Sequence, residues 1–164
     1  MRNKARALLL AGLGWLAVAA VPARAEDFAK DIRGAADRLL AEGGPGDVHG
    51  ALRQLLEIAA GVGREAHLSA PVQAKLDSAS AQAGRLSPLD ERSRAAVDEA
   101  YTALNGGRAF AFPPAVASIE QAKAYGRGQV DRSLAALSVG RSEEAVRELL
   151  GFVLLVITPM EAKG

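Results

Sequence analysis

Twenty-four residues near the start of this chain return near its end. Laid without gaps at an offset of 94, the stretch Arg33 to Leu56 agrees with Arg127 to Leu150 at eleven of 24 positions, among them Gly34/Gly128, Asp37/Asp131, Gly46/Gly140, Arg53/Arg147 and Leu55-Leu56/Leu149-Leu150. A chain rich in Ala, Leu and Gly gives roughly two or three such matches by chance at one offset. Each copy reads as an apolar stripe, a glycine-bearing turn and a second apolar stripe. The feature therefore predicts one antiparallel helical hairpin built twice, over residues 33-56 and 127-150, by duplication or, as the alternative, by convergence on the same helix-turn-helix pattern. It fixes the expected class as all-α: a small bundle of five to six helices, with the two hairpins flanking a central pair.

Periodicity supports the same reading along the rest of the chain. Phe28, Ile32, Ala35, Leu39 and Leu40 share one face of a helix expected from Asp27 to Glu42, ended by Gly43-Gly44-Pro45-Gly46. Asp47 is placed to cap a second helix with Val48, Leu52, Leu55, Leu56, Ala59 and Val62 inward, weakening at Gly61 and Gly63. A third is expected from Pro71 to Arg85. A fourth starts at Ser87 as N-cap with Pro88 in its first turn, and stops at Asn105-Gly106-Gly107. A fifth is expected from Pro114 to Ser138, with Gly126 and Gly128 as a kink. The sixth begins at Ser142 and stops before Pro159. Its nine-residue apolar run, Leu149 to Ile157, is far too short to span a bilayer and reads as the most buried helix.

The turn followed by "EEAVRELL" (Glu143 to Leu150) resembles one unit of a tetratricopeptide-type helical hairpin, over two stretches of 24 residues. The tandem spacing of about 34 residues and the early Trp-Leu-Gly-Tyr pattern of that family are absent. What the resemblance implies is the hairpin unit, not a tandem array.

The first 25 residues read as a cleaved Sec-type signal peptide. Arg2, Lys4 and Arg6 make a basic start, Ala7 to Val21 is a 15-residue apolar run, and Pro22 precedes the small-x-small site Ala23-Arg24-Ala25. Fifteen residues fall short of the ~20 that cross a bilayer. The expected product, residues 26-164, is a single helical domain in the periplasm or secreted. Cleavage removes four of the 20 Lys and Arg and none of the 19 Asp and Glu, leaving 16 against 19, a net charge of −3. That balance argues against a nucleic-acid partner. The absence of cysteine excludes disulfides, thiolate metal sites and a cysteine nucleophile, so an exported chain must hold itself together by its core.

Catalytic motifs are not evident. His49 and His67 lie 18 residues apart, about 27 Å along one helix and too far to share a metal. No His-x-x-His, Glu-x-x-His or Gly-x-Ser-x-Gly occurs, and the acidic pairs Asp90/Glu91, Asp98/Glu99 and Glu143/Glu144 suit helix starts or exposed faces. "GGPG" at residues 43-46 lacks a preceding strand and a Lys-Ser or Lys-Thr ending, so it is a turn and not a phosphate cradle. No enzyme activity, cofactor or metal is expected.

One non-helical stretch stands out, "NGGRAFAFPPAV" from Asn105 to Val116. Phe110 and Phe112 are half of the four Phe in the chain, and in an extended segment both point the same way. Pro113-Pro114 stiffens the backbone beside them. They either plug the core or face a partner. With the nearby polar residues Arg108 and Tyr125 they form the candidate binding set. The expected function is that of a non-enzymatic protein of the cell envelope binding a protein or peptide in a helical groove. The alternative is a carrier of a small apolar ligand held between helices.

Overall fold

The computed structural model describes residues 21-41, 48-83 and 91-158. Among them it holds six helices and no strand: α1 (Ala25–Leu40), α2 (Val48–Glu65), α3 (Ala70–Ala81), α4 (Glu91–Leu104), α5 (Ile119–Ser138) and α6 (Ser142–Ile157). The all-α bundle expected from the apolar stripes is what the chain forms. Phe28, Ile32, Ala35 and Leu40 of α1, and Leu52, Leu55, Leu56, Ala59 and Val62 of α2, are all buried. The expected signal residues 1-20, the turn at 42-47 with Gly46 and Asp47, the caps Ser87 and Pro88, and Pro159 lie outside the described residues.

Helix ends are set by local chemistry. At the end of α5, Gly140 adopts a left-handed φ of 81°, and the Arg141 N–H donates to the Ala136 carbonyl at 2.9 Å. This is a Schellman ending, which glycine enters without steric cost. α2 ends the same way through a side-chain-bearing residue: His67 has φ 57°, and the Leu68 N–H reaches the Gly63 carbonyl at 3.1 Å. α2 thus runs unweakened past Gly61 and Gly63.

α5 differs from expectation at its start and its middle. It begins at Ile119, not at Pro114, because Pro114 and Ala115 lie in a separate turn closed by the Val116 N–H on the Pro113 carbonyl, and Ser118 caps the helix at its first turn. The Ser118 Oγ accepts from the Gln121 N–H at 3.1 Å, and Gln121 Oε1 accepts from the Ala117 N–H at 2.7 Å. Gly126 does not break the helix. It lets α6 come close: a Cβ there would lie 2.8 Å from Cε1 of the fully buried Phe152.

Neighbours in sequence pack as pairs, α1 on α2, α3 on α4 and α5 on α6. The corresponding helices of the two similar hairpins also lie against each other, α1 with α5 and α2 with α6. α4 closes over α6 as well, so α6 is enclosed by α2, α4 and α5. Accordingly Leu149, Leu150, Phe152, Val153, Leu154, Leu155 and Ile157 are all buried. The apolar run of the last helix is core, each such side chain contributing about 1.5–3 kcal/mol by leaving water. Among the described residues, no helix is long and apolar enough to cross a membrane.

Candidate functional site

The strap between α4 and α5 organises the surface around Phe110 and Phe112. After α4 ends at Leu104 the chain turns at Gly106, φ 66°, with the Gly107 N–H donating to the Thr102 carbonyl at 3.0 Å. The chain then runs extended to a turn closed by the Val116 N–H on the Pro113 carbonyl at 3.1 Å, with Pro113 and Val116 buried as anchors. Between these fixed ends the Phe110 N–H donates to Asp98 Oδ1 at 3.4 Å. The Phe110 ring stands edge-on to Tyr101, centroids 5.8 Å apart at 80°. Both phenylalanines are half-buried.

As the alternation of an extended segment requires, both line the same open groove. Its volume is about 360 Å³. One wall is a single face of α4, Glu91, Arg94, Ala95 and Asp98, at helical spacings of three, one and three; the floor is Leu154 and Thr158 at the end of α6. Phe112 also forms the edge of a second, mainly apolar cleft of about 200 Å³, shared with Leu39, Ile119, Ala122 and Leu155. Ile119 is 60% exposed there, unusual for an isoleucine.

Phe110 serves a different neighbour on its other side, a polar cleft of about 120 Å³ between α4, α5 and α6. Tyr101 and Phe110 stand on one side and Tyr125, Gln129 and Arg132 on α5; Arg147, Glu148 and Gly151 come from α6. Glu148 is held by two guanidiniums, Arg132 Nε at 3.3 Å from Oε1 and Arg147 Nη2 at 3.7 Å from Oε2. The phenol of Tyr101 is raised above its ordinary pKa by burial first and then by the Glu148 carboxylate, against the lowering effect of Arg147 and Arg108. It is a neutral hydroxyl at physiological pH, a donor and an acceptor. Gln129 is 5% exposed and its Oε1 is buried without a hydrogen-bond partner.

Of the four candidate residues that the sequence offers, the fold brings Phe110 and Tyr125 together in this cleft, while Phe112 lines the groove beside Phe110 and does not reach the cleft. Arg108 is exposed and reaches the cleft only through its field on Tyr101. Tyr101, Gln129, Arg132, Arg147, Glu148 and Gly151 join the site through the fold alone. A sequence signal exists for two of them: Gln129 interrupts the inward stripe Gly126, Val130, Ser133 and Leu137, and Gly151 interrupts the apolar run of α6. His49 and His67 are both exposed, and no cluster of three metal-ligating side chains occurs among the described residues. No protein family, curated protein or solved structure matches this chain.

Proposed function

We propose that the chain is a non-catalytic binding module of the cell envelope, exported by its first 25 residues, that holds an extended segment of a partner protein in the groove bounded by Phe110 and Phe112. The observation that carries this reading is the strap: two aromatic side chains on a backbone anchored at both ends, half-buried and facing one open groove. Aromatics already fixed in place give contact area at little further ordering cost, which is the character of binding hot spots. The lining suits a peptide, with apolar Ala95 and Leu154 inside and the charged Glu91, Arg94 and Asp98 along one wall. A small apolar ligand enclosed at the centre of the bundle fits less well. The central void among Ile32, Val62, Ser133, Leu137 and Leu149 has no room for even a water molecule.

A peptide-display selection on the purified protein tests the reading. It should return extended sequences whose affinity falls about tenfold or more on Phe112→Ala, the loss of one hot spot, with the helical circular-dichroism signal retained. Binders indifferent to both Phe110→Ala and Phe112→Ala would overturn it. Export is checked by intact mass: the protein from the exported fraction should begin at Glu26.

A further inference from the structure

The polar cleft beneath Phe110 has a lining that the groove does not share. Gln129 enters it from α5, 5% exposed, with its amide beside Gly151: a Cβ on Gly151 would lie 3.0 Å from Gln129 Nε2. The nitrogen end of that amide lies toward Gly151, and the oxygen end is buried and unpartnered. A half-turn of the amide exchanges the two. An amide oxygen buried without a partner costs about 1–3 kcal/mol unless a ligand supplies one. Arg132 and Arg147 set two positive charges against the one negative charge of Glu148, so one unit of positive charge is left over at the mouth. The Tyr101 hydroxyl adds a neutral donor, and Gly151 keeps the floor open where any side chain would press on Gln129 and on Tyr101 Cε1, at 3.4 Å.

We propose that this cleft is a carboxylate site, taking a carboxylate whose neighbouring carbon bears an N–H: the chemistry shared by the last residue of a polypeptide and by an α-amino acid. The carboxylate answers the excess guanidinium charge, a pairing that arginine makes with two parallel hydrogen bonds. The N–H answers the Gln129 carbonyl. Inorganic phosphate would satisfy the arginines but brings little donor capacity for the amide oxygen. The volume of about 120 Å³ equals that of about four water molecules, room for a terminal group and not for a long side chain. The inference rests on the groove reading in one respect. Phe110 is the wall common to groove and cleft, so a segment lying in the groove has its end within reach of Arg147 and Gln129.

The test is an NMR titration of the ¹⁵N-labelled protein with four probes, L-alanine, N-acetyl-L-alanine, N-acetyl-L-alaninamide and inorganic phosphate, read at the Gln129 side-chain amide and the Gly151 backbone amide. N-acetyl-L-alanine should shift both signals at millimolar concentration, and the amide should bind about tenfold more weakly, the loss of a charged hydrogen-bonding group. Gln129→Leu should weaken the acid by a similar factor. Arg147→Gln, at a part-exposed position, should do the same and guards against a folding defect in the first variant. If L-alanine binds and N-acetyl-L-alanine does not, the carboxylate site stands and its source is a single amino acid. Equal binding of acid and amide, equal shifts from inorganic phosphate, or no shift from any probe overturns the proposal. The groove reading survives that failure if displayed peptides still depend on Phe112, and falls separately if they do not.

Discussion

Ser133, fully buried in α5, donates its hydroxyl hydrogen to the backbone carbonyl of Ala145 in α6 at 2.8 Å. It is a hydrogen bond between the two helices of the second hairpin, made where the neighbouring contacts are apolar. Ser133→Ala should cost about 1 kcal/mol, since the Ala145 carbonyl stays within its own helix and only the extra bond is lost. Urea denaturation at neutral pH gives the number. A loss above about 3 kcal/mol would mean that the hydroxyl holds more of the hairpin than this one bond.

Two glycines on helices should respond to alanine with opposite signs. Gly34 has nothing within 4 Å of a would-be Cβ, so Gly34→Ala should stabilise α1 by up to about 1 kcal/mol. Gly126→Ala meets the Phe152 ring at 2.8 and 3.1 Å and Leu155 at 3.4 Å, which should outweigh the same propensity gain by about 1–3 kcal/mol. Pairing Gly126→Ala with Phe152→Leu should recover part of that loss in a double-mutant cycle.

The phenylalanines divide by what surrounds them. Phe152, fully buried, should cost about 3–5 kcal/mol on conversion to Ala. Phe112, half-exposed between two clefts, should cost about 1 kcal/mol and keep the melting transition cooperative. Thermal unfolding of the two variants side by side separates a core position from a surface one.

Tyr101 makes stability depend on pH at the alkaline end. Its folded pKa lies above the unfolded value of about 10, so folding favours the neutral phenol. The stability this contributes is fully present below pH about 10 and is lost as pH rises through the raised folded value. Denaturation midpoints should fall in that window, and Tyr101→Phe should flatten the fall. Phenolate absorbance should lose its latest-titrating component in the same variant.

Much of this architecture is legible in the chain itself. The inward positions of α1, α2 and α6 can be read from spacing because long amphipathic stripes have one way to bury themselves: Phe28, Ile32, Leu52, Leu55, Leu149 and Leu150 are all core. The start of α5 is not legible in the same way, because helical spacing alone says nothing of the Ser118 cap that excludes residues 114-118. The polar cleft is legible only in fragments. Tyr101, Gln129 and Arg147 stand on three helices, and nothing in their local sequence says that these faces meet. Phe110 and Tyr125 draw attention because they are rare residues near a stiff strap. Glu148 does not, because a Glu between Arg147 and Leu149 reads as ordinary helix surface, and only packing against α5 brings Arg132 to it.

The order in which the chain is made gives the central place of α6 a further meaning. α6 covers α2, α4 and α5, yet it is the last of the described helices to be synthesised. Until residues 142-157 emerge, Leu52, Leu56 and Val97 have no finished interior to enter, and the earlier hairpins are left with sticky, half-covered faces. A chain assembled in this order stays open until residues 142-157 have been made. The helix that locks the fold is thus the last of the described helices to be made, and the interior closes only when it arrives.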